Sequence, residues 1–168
     1  VYRIDQGIER YMTKTQKKTA DFMEGCMELG GLLGGWQEDE IIELKKYGHA
    51  LGMAFQITDD IMDYRETAET TGKPVGNDLR EGLLTYPLLS IVNDGNKDKL
   101  LEDIKGLNNG GNEQDIIDYV IAQGGIDNTL AVADKYCKDA LAALAAVRDF
   151  PGKEFLVMAV ENLADRKV

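Results

Sequence analysis

Three aspartates, Asp59, Asp60 and Asp63, stand inside the otherwise apolar, helix-patterned stretch from Phe55 to Tyr64, FQITDDIMDY. Unpartnered charges are costly to bury, so either the stretch lies at a surface or a cation comes to meet it. Positions three or four apart share a helix face. Stepping back from Asp63 in such intervals meets Asp60 and Asp59, then Gln56, Gly52 and Gly48, while Leu51, Phe55, Ile61 and Met62 fall on other faces. Each interior helical glycine costs about 1 kcal/mol against alanine, so Gly48 and Gly52 suggest that space is kept there. A neighbouring helix could fill it, or an elongated apolar ligand with a charged head. The carboxylates read either as a solvated acidic helix end or as donors to a hard cation. Mg²⁺ takes one or two carboxylates together with water and phosphate oxygens, and no Cys or His stands among them to favour a softer metal. A Mg²⁺–phosphate site calls for cations beside it. Lys73, in the loop that follows, is one candidate. Lys18 with Thr19, in KTQKKTADF, is another, although a lysine run on a helix is commonly a solvated face.

The elements that must position these groups read as nearly all helix. Helical spacing runs from about Asp5 to the glycine-rich stop GGLLGG after Met27, and again from Glu38 to Arg65, where acidic residues suit the positive helix N-terminus. The segment ETAETTGKPVGNDLREG is dense in Thr, Gly, Pro and Asn and predicts a loop. Pro87 stands near the start of another helix, NNGG at Asn108–Gly111 is a turn, and a helix from Glu113 stops at QGG before Gly125. An alanine-rich helix covers about Asp127 to Arg148, and a last one starts at Pro151. No stretch alternates with period two for long. The expected fold class is all-α, a bundle of about seven helices forming one domain over residues 1–168.

The balance of 30 acidic against 19 basic side chains gives a net charge of −11. That excludes a sequence-independent nucleic-acid binder, which needs Lys and Arg to displace counterions, but leaves room for a small phosphorylated ligand held by local lysines and a divalent ion. Cys26 and Cys137 are far apart, and His49 is the only histidine, so a zinc site is not expected. Both cysteines sit in apolar helical patterns and read as packed, reduced thiols of a cytoplasmic protein. No apolar run approaches the roughly 20 residues needed to span a bilayer. The chain starts with Val1, and its first residues already look helical, so further chain upstream is expected.

The combination GMAFQITDDIMDY…TGKPVGNDLREGLLTYPLL resembles the trans-isoprenyl diphosphate synthases, or polyprenyl synthetases, in particular their second aspartate-rich motif: a DDxxD preceded by Phe-Gln and followed by Gly-Lys-Pro and Gly-Asn-Asp. Their first motif is followed by an Arg-Arg-Gly-like element that Arg65 and ETAETTGK do not provide, so the resemblance implies a C-terminal half whose first motif lies elsewhere. It also implies an all-α bundle of the isoprenoid synthase type and a prenyltransferase that joins isopentenyl diphosphate to an allylic prenyl diphosphate with Mg²⁺ as cofactor, inactive as this portion alone, and a homodimer. By resemblance Asp59 and Asp63 are metal ligands, with Asp60 acting directly or through water. Lys18 and Lys73 bind the allylic diphosphate, Thr19 and Gln56 lie near the reacting carbons, Asp78 supports the site from behind, and Gly48 and Gly52 border the prenyl groove. Leu83 departs from the pattern, since many relatives carry a lysine after Arg-Glu-Gly. A partner-dependent helical subunit is the alternative, and the GKPVGNDLREG loop favours elongating synthases over terpenoid cyclases.

Overall fold

The computed structural model describes residues 7–65 and 76–165, and among these no strand occurs. Helix α1, Gly7–Thr15, runs through a π-helical turn, Gln16–Ala20, into α2, Asp21–Leu33. The turn is marked by the Asp21 N–H, which bonds the Gln16 carbonyl five residues back. Gly34 closes α2 with its N–H on the Gly30 carbonyl, and Gly35 turns the chain at φ 67°. Helix α3 spans Glu38–Arg65 with Glu38, Asp39 and Glu40 in its first turn, where carboxylates offset the positive end of the helix dipole.

Beyond the undescribed residues 66–75, which include Lys73, come α4, Asn77–Arg80, and α5, Tyr86–Leu89, each a single turn. Helix α6, Lys97–Gly106, is followed by a 3₁₀ turn, Leu107–Asn109. Then come α7, Glu113–Ala122, α8, Gly125–Ala145, and α9, Lys153–Asp165. The helix expected from Pro87 is thus one turn long, and α6 starts afresh. Asparagine side chains cause the break. Asn93 Oδ1 accepts the Gly95 N–H at 2.9 Å, Asn96 Oδ1 accepts the Asn93 N–H at 2.8 Å, and Asn96 Nδ2 donates to the Ile91 carbonyl at 2.8 Å, so side chains take backbone groups that a continuing helix would use. The last helix begins at Lys153, because Gly152 at φ 94° still belongs to the turn.

The described residues cluster in two compact units. One comprises the residues up to Tyr11 with Asp59–Thr129, the other Met12–Thr58 with the residues from Leu130 on. The boundaries fall inside α1, α3 and α8 and not in a linker. In the first unit the buried side chains include Ile61, Tyr64, Leu79, Leu88, Ile104, Ile117 and Val120. Gly125 lets α8 start against α5 and α7: a Cβ there would stand 2.6 Å from both the Pro87 carbonyl oxygen and Val120 Cγ1.

The second unit has its own core, with Leu44, Tyr47, Ala50 and Ala54 of α3 against Cys137, Ala140, Ala143 and Leu144 of α8 and Val160 and Leu163 of α9. Alanines on both α3 and α8 allow close helix approach. Tyr47 places its hydroxyl on the Leu156 carbonyl at 2.9 Å, and burial pushes its pKa up to about 12. Trp36 meets Phe150 edge-on at 4.9 Å and carries the Arg148 guanidinium over its ring at 4.6 Å. Lys153 donates to the Val147 carbonyl at 2.9 Å, which satisfies a group just beyond the end of α8.

Candidate functional site

The three aspartates of α3 do not share one environment. Asp59 is exposed, Asp63 is half-buried, and Asp60 is 5% exposed. Adjacent helical residues diverge by about 100°, so a motif with two neighbouring aspartates cannot present both to the same ion unless one side chain reaches round. The face drawn from the sequence through all three is too wide, and Asp60 belongs to the interior. Its Oδ2 accepts the Tyr11 hydroxyl at 2.5 Å and the Tyr86 N–H at 3.4 Å.

Asp63 is held from the other side of the undescribed loop. Oδ1 accepts the Asn77 N–H and Oδ2 the Asp78 N–H, both at 3.1 Å, and the Asp63 carbonyl accepts the Gly76 N–H at 3.0 Å. The GND triplet is explained by this wrap. Gly76 adopts φ 76°, a conformation that favours glycine, and turns the next two amides onto the carboxylate at the start of α4. Burial raises the Asp63 pKa, while the Asp78 and Asn77 amides and the nearby Arg80 charge pull it back down. Arg80 in turn pairs with Glu113 of α7. Asp78 touches Asp63 through its backbone amide. Tyr64, next along α3, is fully buried. Burial raises its pKa, and the Thr85 hydroxyl faces it and opposes that shift without reaching full hydrogen-bond geometry. Leu83 is 38% exposed, so no buried cation is replaced there.

In the second unit, Thr19 Oγ1 donates to Gln56 Oε1 at 3.2 Å, joining two of the residues singled out by resemblance. Lys18 is exposed and Thr19 half-buried, and both lie in the π turn. Such turns are rare and frequent at functional sites; nothing in the residue pattern of α1 and α2 announces this one. Lys73 lies outside the described residues.

Gly48 and Gly52 are not open to a groove. A Cβ on Gly48 would stand 2.6 Å from the Met23 carbonyl oxygen, and one on Gly52 would stand 2.7 Å from Ala20 Cα. The kept space holds the end of the π turn at Ala20 and the start of α2 at Met23, which corrects the expectation of a prenyl groove along these two glycines. A separate groove of ≈ 660 Å³ in this unit is lined by Glu24, Ile42, Lys45, His49, Ala50 and Tyr136, among others. Cys26 is also corrected: it is exposed on α2, near Phe22, Leu29 and Leu33, which are all exposed too, and only Cys137 is packed.

Among the described residues, the donor atoms that converge to within 4.8 Å of one another belong to Asp21, Glu24 and His49, not to the aspartate motif. Lys45 pairs with Glu24 at 3.7 Å and with Glu28 at 3.0 Å, so one carboxylate of this cluster already has a cation beside it. For Mg²⁺ the aspartate motif has the better chemistry. Asp59 and Asp63 are hard oxygen donors, open or half-open to water, and an ion that keeps waters and takes phosphate oxygens needs only one or two protein carboxylates.

The polyprenyl synthetase family model matches residues 2–123. A heptaprenyl diphosphate synthase component 2 of Geobacillus stearothermophilus is 33% identical over 140 residues, covering 83% of this chain and 44% of that protein. The crystal structure of a heptaprenyl diphosphate synthase of Staphylococcus aureus superimposes with a TM-score of 0.86 at 28% identity, covering 99% of this chain and 53% of that one. A polyprenyl synthase of Caulobacter crescentus, solved with calcium and isoprenyl diphosphate, gives a TM-score of 0.83 at 30% identity over 99% of this chain and 52% of that one. The chain spans about half the length of the relatives it matches.

Proposed function

The chain belongs to the polyprenyl synthetase family and has its all-α isoprenoid synthase fold, and from that premise we propose that it supplies the second aspartate-rich half of a prenyl diphosphate synthase. The reaction is condensation of isopentenyl diphosphate with an allylic prenyl diphosphate. The observation that carries the reading is the pair of accessible carboxylates, Asp59 exposed and Asp63 half-buried and gripped by two amides, within the DDxxD motif.

Asp59 and Asp63 would hold Mg²⁺, which when bound supplies positive charge for the departing diphosphate. The Asn77 and Asp78 amides fix the Asp63 carboxylate, so the donor does not have to be ordered at the moment of reaction. Lys18 and Lys73 are assigned to the allylic diphosphate by their place in the sequence motifs. Thr19 and Gln56 pair with each other, and their oxygen dipoles suit the positive carbon that forms as the diphosphate leaves; loss of a proton from the alkylated isopentenyl unit completes the condensation. We assign the protein to a homodimer in a reducing, cytoplasmic setting, as its free cysteines suit; among the described residues no helix is long and apolar enough to cross a membrane.

The test is incorporation of labelled isopentenyl diphosphate onto an allylic diphosphate by the full-length protein, with Asp59→Ala beside it. A severe loss in the variant is expected, and near-normal turnover would refute the metal role. A second reading, a subunit inactive by itself, is favoured by one relative's designation as a component 2. Turnover that appears only after a second polypeptide is added would select it.

A further inference from the structure

We infer that Asp60 is the internal anchor of the aspartate motif and not a metal ligand, and that Tyr11 of α1 is the residue that positions it. The inference rests on the reading of Asp59 and Asp63 as ion ligands. A site that must admit a hydrated cation and a diphosphate has to face water, and Asp60 is 5% exposed. The Asp60 Oδ2 atom is engaged by the Tyr11 hydroxyl at 2.5 Å and the Tyr86 N–H at 3.4 Å. Tyr11 is itself 8% exposed, and its ring meets the Tyr86 ring edge-on at 5.6 Å with the planes 64° apart. One phenol and one segment of backbone thus close over the carboxylate from α1 and from the start of α5.

The consequence for the neighbours is mechanical. A helix can turn about its own axis unless something long-range holds it, and hydrogen bonds to a charged carboxylate are among the stronger ones. The Tyr11–Asp60 bond joins positions 49 residues apart in sequence. With Asp60 fixed inward, Asp59 is directed outward, and Asp63, one turn on, lies where the Asn77 and Asp78 amides reach it. A neighbour that orients metal ligands in this way is commonly worth about 10–100-fold in metal affinity.

The test uses the full-length protein with Mn²⁺ as the probe, in the presence of inorganic pyrophosphate, reading free Mn²⁺ by electron paramagnetic resonance. Asp59→Asn should lose an ion from the stoichiometry. Asp60→Asn retains an oxygen that accepts from Tyr11, and it should bind Mn²⁺ with unchanged stoichiometry and within about threefold of the wild-type affinity; loss of an ion comparable with Asp59→Asn would overturn the anchor assignment. Tyr11→Phe should weaken Mn²⁺ by about tenfold or more at unchanged stoichiometry, and wild-type affinity in that variant would overturn the positioning role. Should Tyr11→Phe fail to fold, Tyr11→His, which retains a donor, should rescue folding and part of the affinity; a folded His variant that binds no ion would count against the assignment. Wild-type protein that takes up no Mn²⁺ would refute the reading of Asp59 and Asp63 themselves, and with it this inference.

Discussion

The Gly76 N–H donates to the Asp63 carbonyl at 3.0 Å, so a glycine thirteen residues downstream closes the end of α3 and delivers the next two amides to the Asp63 carboxylate. Replacing Gly76 by Ala should lower stability by about 1–2 kcal/mol for the left-handed backbone alone. The new Cβ would also stand 3.0 Å from Ile117 Cδ1. A fall of several degrees in Tm, together with weaker Mn²⁺ binding, is the expected result. An unchanged Tm would show that the turn does not need this conformation.

Gly48→Ala discriminates between packing and ligand space. With the Met23 carbonyl oxygen 2.6 Å from the added carbon, α2 must move away from α3, and overpacking of this kind costs about 1–3 kcal/mol. Calorimetry should show a clear drop in Tm with no prenyl ligand present. A variant as stable as wild type would return these glycines to the lining of a groove.

Tyr47 sets an alkaline limit. Its folded pKa, about 12, is raised by burial above the ordinary phenol value of 10.0. The neutral phenol therefore contributes stability that is fully present below pH 10 and is lost as pH rises through about 12. Tyr47→Phe should be less stable at neutral pH by about 1 kcal/mol, having left the Leu156 carbonyl without its donor. The gap between the two proteins should close across that alkaline window in denaturant titrations. A gap that stays constant to pH 12 would contradict the burial assigned to this ring.

The two thiols should separate kinetically. Cys26 is exposed and Cys137 is 3% exposed. Ellman's reagent should label one thiol of the 168-residue chain rapidly and the second only on unfolding. Two fast thiols would mean that the core of α3, α8 and α9 is open.

Much of this was legible in the residues, for identifiable reasons. Helix α3 begins and ends where its acidic opening and terminal Arg65 predict, and α7 starts at Glu113 after Asn112, whose side chain caps the Gln114 N–H. What failed were inferences about the far side of a helix face. Periodicity placed Gly48 and Gly52 together and could not say that α2 fills the gap. It put Asp60 with Asp59 because spacing counts steps and not the 100° between neighbours. Cys26 looked internal because it stands among apolar residues, and those residues, Phe22, Leu29 and Leu33, are themselves exposed. The asparagines that divide α5 from α6 act through side-chain hydrogen bonds that composition alone did not rank.

The π turn at Gln16–Ala20 has a consequence for how this chain tolerates length changes. A π turn accommodates one residue more than the α-helical path would, so counting positions in helical steps slips by one residue across it. Removing a single residue from QKKTA would let ordinary α-helical hydrogen bonds form throughout and would be locally favourable. The turn therefore marks a point at which the chain can shed one position and keep its helicity intact.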